Sequence, residues 1–265
     1  MSAEPRPIRE LAALAPLDGL LFDIDDTLTL HGKLVPAVLD ALAALRARGL
    51  KIIPVTGRPA GWVDHIARMW PVDGVVGENG GLWFWYDADA GRLERRFLQE
   101  AETRAANRLR LERLARQILA EVPGVALASD QGYRALDLAI DFCEDVPPQG
   151  DEAIDRVVAL FEAAGAVCKV SSIHVNGWYG DFDKLTGIRR LHQDRWGAPL
   201  DPQRWAWFGD SANDEPMFEA FPLSIGVANV RRFLPRMKTG PAWITQAEGG
   251  EGVVEALAWM ERLGL

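Results

Sequence analysis

The chain has 265 residues, 48% hydrophobic and 25% charged, which is enough apolar content for one large or two modest domains with a sizeable core. A net charge of −9 and a pI near 5.0 argue against a nucleic-acid partner, which needs a basic face. No apolar run approaches the roughly 18 residues of a membrane span, and Met1 to Glu10 lacks a signal-peptide apolar stretch, so no membrane partner and a cytoplasmic location are expected.

In chain order, Gly19 to Asp25 reads as a short apolar strand running into acidic residues, the pattern of a buried parallel strand. Val38, Ala41, Leu42 and Leu45 recur at helical spacing, and Gly49 closes that helix. Leu50 to Val55 is a second strand ending at Thr56-Gly57-Arg58-Pro59, and a helix follows through Trp70. Val72 to Val76 is a third strand, ending at Gly77-Glu78-Asn79-Gly80-Gly81. This alternation predicts an α/β fold, a doubly wound parallel sheet of Rossmann-like type with ligands at the carboxyl ends of the strands.

The rhythm changes near Tyr86. Glu100 to Glu121 is a long charged helix, Val125 to Ala128 and Ala135 to Phe142 are strands, Asp151 to Ala164 is a helix, and Ala166 to Val175 is one further strand. Residues 87–180 therefore form an inserted α+β cap domain within a discontinuous core of 1–86 and 181–265. The alternating pattern resumes with a helix from Asp183 to Trp196, a strand from Trp205 to Phe208, a helix from Asp214, strands near 223–227 and 242–245, and a helix from Gly252. Cys143 and Cys168 show no metal or redox spacing, so both thiols are expected to be reduced and partly buried.

Four polar groups fall at the strand ends. In Asp23-Ile24-Asp25-Asp26-Thr27, alternation puts Asp23 and Asp25 on one side, where one carboxylate can attack phosphorus and the other move protons; an acidic turn is the plainer alternative. Thr56-Gly57-Arg58 offers a hydroxyl and a free backbone N–H to phosphate oxygens, or simply an N-cap before Pro59. Lys184, at a helix start, is suited to neutralising a phosphate, or is a surface lysine. Phe208 to Asp214 delivers Asp210, Asn213 and Asp214 into one loop, an oxygen set suited to Mg²⁺, or an Asn/Asp-rich turn.

In this order and spacing the four resemble the haloacid dehalogenase superfamily over the whole chain: Asp23 to Thr27 its first motif, Thr56 its second, Lys184 its third, Gly209 to Asp214 its fourth. The insertion looks like the C2-type cap, similar to the branch containing sucrose-phosphate, trehalose-phosphate and mannosyl-3-phosphoglycerate phosphatases and Cof-like sugar phosphatases; Glu78-Asn79-Gly80 also looks like that branch. Two departures stand out: Asp26 where glycine is usual, and Leu185 where glycine often follows the lysine. The resemblance implies a Mg²⁺-dependent phosphatase acting on a small phosphorylated metabolite, a sugar phosphate foremost. Asp23 would be the nucleophile and Asp25 the proton donor and acceptor, held protonated by its carboxylate neighbours. Asp23, the Asp25 carbonyl, Asp210 and Asp214 would bind the ion, with Asn213 beside them. Thr56, Gly57, Arg58 and Lys184 would hold the phosphoryl group, and Thr27 would brace the loop.

In the cap, Ser172, His174 and Asn176 alternate with Ile173 and Val175, and Asp137 and Asp141 alternate with Leu138, Ile140 and Phe142. The polar face so formed either reads substrate hydroxyls, with His174 the foremost candidate, or is solvated. Trp178 and Tyr179 are expected to pack at the return to the core. The arginines of the long cap helix, interleaved with Glu102 and Glu112, are expected to form a solvated face. A sugar phosphomutase of the same fold and a non-catalytic ligand-binding relative are the alternatives; Thr56-Gly57-Arg58 looks more like the phosphatases, and the intact acidic set disfavours the second.

Overall fold

The structure, a computed structural model, describes residues 4–265. Its strands and helices are β1 (Arg6–Pro7), β2 (Gly19–Phe22), β3 (Thr29–Leu30), β4 (Lys33–Leu34), α1 (Pro36–Ala47), β5 (Lys51–Pro54), α2 (Ala60–Met69), β6 (Val75–Gly77), β7 (Leu82–Asp87) and β8 (Arg92–Phe97). The middle of the chain forms α3 (Ala101–Glu121), β9 (Ala126–Leu127), β10 (Leu138–Asp141), α4 (Asp151–Ala163), β11 (Val167–Val170) and β12 (His174–Trp178). The last part forms α5 (Lys184–Trp196), β13 (Trp205–Gly209), α6 (Glu215–Ala220), β14 (Leu223–Gly226), β15 (Trp243–Ile244) and α7 (Gly249–Arg262). Among the described residues no helix is long and apolar enough to cross a membrane.

The core sheet runs β1-β15-β14-β13-β2-β5, all parallel. Strand alternation decides its two faces. Leu20 and Phe22 of β2 join Leu42 of α1, Ile66 of α2 and Val253 of α7 in one apolar layer. Leu21 turns the other way, into a layer with Ile188 of α5, Trp207 of β13 and Phe218 of α6. Burial on both faces explains why β2 and β13 are apolar without interruption. β2 lies between β5 and β13, so its carboxyl end opens at the point where the chain switches sides of the sheet.

Two expectations about the insertion are corrected. A parallel bridge between Val55 and Val76 carries the sheet on to β6, and β7 and β8 add to it as an antiparallel hairpin. The chain therefore leaves the core near Gln99 and not at 86–87, a position inside β7 whose aromatic residues Trp83, Phe84 and Trp85 are core residues. In addition, the single strand expected over 166–175 is two strands. Ser171 breaks it: its Oγ accepts the N–H groups of Ile173 and His174, folding a hairpin turn that puts Ser172 at the tip.

The cap is a four-stranded antiparallel sheet, β11-β12-β10-β9, with α3 and α4 on one face. Leu111, Leu114 and Ile118 of α3 and Val157 and Phe161 of α4 cover Leu138, Ile140 and Val175. The opposite face, carrying His174 beside Asp141 and Asn176 beside Ala139, turns toward the core. Trp178 is buried and stacks on Phe182 at 5.3 Å where the chain re-enters the core, a packing role.

Candidate active site

Asp23 follows β2 directly, and its N–H continues the parallel ladder to the Phe208 carbonyl. The next turn is left-handed at Asp26 (φ 59°), which explains why glycine suits that position and why Asp, which tolerates the region, replaces it. Lys184 begins α5, capped by the Asp183 side chain on the Thr186 N–H at 2.8 Å. Here α5 meets the 78–80 turn at Gly80 and Gly187, two backbones too close for a Cβ on either. Leu185 sits in the first helical turn against the core, where nothing requires glycine.

This places the Lys184 ammonium 2.6 Å from Asp23 Oδ1 and 2.7 Å from Asp214 Oδ1, all buried. Asp214 Oδ2 accepts the N–H groups of Asp210 and Ser211 at 3.0 and 3.3 Å, so this carboxylate locks the fourth loop and the lysine together. Asp210 takes the Thr27 hydroxyl at 3.3 Å, the bracing expected of Thr27. Burial, reinforced by the neighbouring Asp214 and Asp25, raises the Asp23 carboxyl to about 8 against the pull of Lys184. Burial and the nearby Asp23, Asp214 and Asp26 raise Asp210 well above the ordinary carboxylate range.

Asp23, Asp210 and Asp214 each bring a carboxylate oxygen within 4.8 Å of the others. Asp210 Oδ2 is buried without a hydrogen-bond partner among the described residues. Crowded buried carboxylates with one oxygen left over form a donor set that fits a hard divalent cation. The Asp25 side chain is not part of that cluster.

Asp25 is instead held by Arg58, whose Nη2 and Nε lie 2.9 and 3.0 Å from Asp25 Oδ1. Asp25 thus has a guanidinium paired with it in addition to the expected carboxylate neighbour, Asp23. Arg58 also reaches the cap, 2.8 Å from Glu144 Oε1 and 3.5 Å from Asp130 Oδ2, and Glu144 Oε2 lies 2.9 Å from His174 Nε2. Contact with His174 and then Arg58 lowers the half-buried Glu144 to about 2. Thr56 is buried, and its Oγ1 accepts the Arg58 N–H at 3.0 Å.

Between core and cap lies a cavity of about 20 Å³ lined by Asp23, Asp25, Gly57, Arg58, His174 and Asn176, among others. That is the space of about one or two waters. Asp137 and Asp141 do not present a polar surface to it. Asp137 is buried in an ion pair with Arg134 at 3.0 Å, and Asp141 accepts the N–H groups of Cys143, Glu144 and Asp145. Arg134 in turn donates to the Gly57 carbonyl at 2.8 Å. Glu144 and Arg134 were not singled out from the sequence. Each is one charged residue in a cap loop, and only the folded chain brings it to Arg58 or Gly57.

Residues 20–117 match the family model described as haloacid dehalogenase-like hydrolase. The chain is 27% identical over 253 residues to a protein of Methanosarcina mazei named phosphoglycolate phosphatase, covering 93% of this chain and 97% of that one. The same architecture occurs in a solved protein of Thermoplasma acidophilum (TM-score 0.68, 18% identity, 93% and 100% coverage). It occurs also in the sucrose-phosphatase of Synechocystis (TM-score 0.63, 16% identity, 92% and 98% coverage). Three of the four motifs meet at strand ends of this fold and the fourth, Lys184, at the start of α5, and over residues 20–117 the chain is similar to the haloacid dehalogenase-like hydrolases.

Proposed function

We propose that the chain is a Mg²⁺-dependent phosphomonoester hydrolase that transfers the phosphoryl group of a small metabolite to Asp23. One observation carries this reading: a buried carboxylate held by an ammonium at 2.6 Å, inside a carboxylate cluster, facing a closed polar cavity. Lys184 engages Asp23 through Oδ1, which leaves Oδ2 for in-line attack on phosphorus. Asp23 and Asp210, with the Asp25 carbonyl, would hold Mg²⁺, which when bound offsets charge between nucleophile and phosphoryl oxygens. Asp214, with both oxygens engaged by Lys184 and the loop, positions those groups and would join the ion's set through a water. The Gly57 N–H, Thr56 and Lys184 hold the phosphoryl group.

Asp25 stands two residues on, where the leaving oxygen departs. Paired with Arg58 it is a hydrogen-bond acceptor, the form needed by a base that takes a proton from the hydrolytic water. Donation to the leaving group in the first half requires Arg58 to turn toward the substrate's own anionic oxygens.

Phosphoglycolate, named in the Methanosarcina mazei relative, is compared with the sugar phosphates as substrate. The test is phosphate release with Mg²⁺ from phosphoglycolate, sugar phosphates and an aryl phosphate. Mg²⁺-dependent turnover of any of these esters supports the reading, and the best of them names the substrate class. Absence of phosphate release from every ester removes it. Transfer of phosphate between sugar positions would identify a mutase.

A further inference from the structure

We infer that Asn79 is a phosphate-binding residue, its side-chain amide donating to an oxygen of the bound phosphoryl group; this rests on the phosphatase reading above. Glu78, Asn79 and Gly80 are three successive left-handed residues (φ 44°, 54° and 102°). For Glu78 this backbone is unfavourable, while Asn79 is of a type that tolerates it, and the strain at Glu78 persists only where the surroundings impose it.

They do so from every side. The buried Glu78 carboxylate accepts N–H groups from Ala60, Ala135, Leu136 and Asp137. The Glu78 N–H donates to the Arg58 carbonyl and the Asn79 N–H to the Thr56 carbonyl, both at 3.1 Å. Gly80 is pressed against the Asp183 carbonyl, next to Lys184. The turn is thus fastened to both groups proposed to hold phosphate, the Thr56–Arg58 loop and the start of α5.

The consequence is the position of the Asn79 side chain. It is buried, lies against Gly57, where a Cβ would stand 3.2 Å from Nδ2, and lines the cavity shared by Asp23 and Arg58. On its other side it lines the space beside Lys184 and Asn213. Yet Nδ2 has no hydrogen-bond partner among the described residues. A buried amide left unpaired is unfavourable, and here it is held in a strained, fully braced turn between a backbone N–H and an ammonium that both seek oxygen. An anion with several acceptor oxygens in that cavity completes it.

The probe is inorganic phosphate, the product common to every substrate, measured as a competitive inhibitor of aryl phosphate hydrolysis in the presence of Mg²⁺. Asn79→Gly removes the amide and relaxes the left-handed backbone, so a loss cannot come from added strain. Asn79→Asp keeps the shape, removes the donor and adds repulsion. The expected result is that phosphate inhibition weakens about tenfold in Asn79→Gly and further in Asn79→Asp, with melting temperatures near wild type. The same factor should appear in kcat/KM for aryl phosphate and phosphoglycolate alike, since both carry the phosphoryl group. Phosphate inhibition within twofold of wild type in Asn79→Gly overturns the inference while leaving the phosphatase reading intact. A wild-type protein that neither hydrolyses esters nor is inhibited by phosphate overturns both.

Discussion

Lys184 is the residue on which the charge balance of the site turns. Its ammonium faces Asp23 and Asp214, with Asp210 beside them, and burial with mutual repulsion already raises Asp23 to about 8. Replacing Asp23 by Asn removes one of these charges and leaves Lys184 its bond to Asp214. The Asp23→Asn variant is therefore expected to melt no lower than wild type while kcat falls about a thousandfold or more, since an amide is no nucleophile. Thermal denaturation and steady-state turnover on the same preparation check both halves; a variant keeping a tenth of wild-type kcat would move the nucleophile elsewhere. Glu144 is the corresponding residue on the cap side. His174 and Arg58 hold its carboxyl at about 2, against an ordinary value of 4.5. A depressed acid stabilises the fold fully above its unfolded value and loses that contribution as pH falls through the folded one. Wild type should exceed Glu144→Gln in stability at pH 7, by about 1 kcal/mol after solvent screening of this half-buried group. The gap should close between pH 4.5 and about 2. A gap constant over that range would mean that the ion pair contributes nothing.

At the scale of elements, the apolar runs of β2 and β13 and the spacing of Val38, Leu42 and Leu45 in α1 were legible because burial on both faces or on one stripe writes itself into sequence. Asp23 and Asp210 were legible at the ends of β2 and β13, and Lys184 through its place in order between them at the start of α5. The hairpin at Ser171 was not, because β11 and β12 continue one β-rich run and only a serine side-chain turn divides them. The extension of the core by β7 and β8 was hidden for a related reason: Trp83 and Trp85 look alike whether the strand belongs to core or cap. Nor could the sequence show that Glu78 pins the two sheets together, for its partners are backbone N–H groups, which every sequence has. Its carboxylate binds N–H groups of Ala60 in the core and of Ala135, Leu136 and Asp137 in the cap. Glu78→Gln replaces one acceptor oxygen by a donor and orphans buried amides, each worth about 1–3 kcal/mol. Denaturant titration should show a loss of at least about 2 kcal/mol. A change below 0.5 kcal/mol would mean that the amides find other partners.

At the scale of the whole molecule, the structure is closed, and a cavity of about 20 Å³ admits no phosphate ester. Entry would require the cap to move against the core across Arg58–Glu144, Arg134–Gly57 and the bonds of Glu78 to Ala135, Leu136 and Asp137. The motion has a defined origin, since the two connecting segments lie side by side: the Gln99 amide bonds the Tyr179 carbonyl, and Gly180 follows with φ 125°. On the proposed mechanism, closure would exclude water until the nucleophile is aligned and would bring His174 and Asn176 toward the leaving group. Two consequences can be measured. Chelation should abolish activity, and added Mg²⁺ should raise the melting temperature of the chelated protein, because an ion that binds only the folded carboxylate cluster stabilises it; full activity in excess EDTA would remove the cation from the mechanism. The second consequence separates the two halves of the site. His174 is buried on the cap and meets Glu144, which meets Arg58, so on the proposed mechanism it would act on the leaving-group side. His174→Ala should lower kcat/KM for the metabolite about tenfold, the value of one hydrogen bond to a polar leaving group, and leave an aryl phosphate within about twofold. Equal losses on both substrates would make His174 a brace for Glu144 and Arg58, and substrate choice would then lie with the core loops.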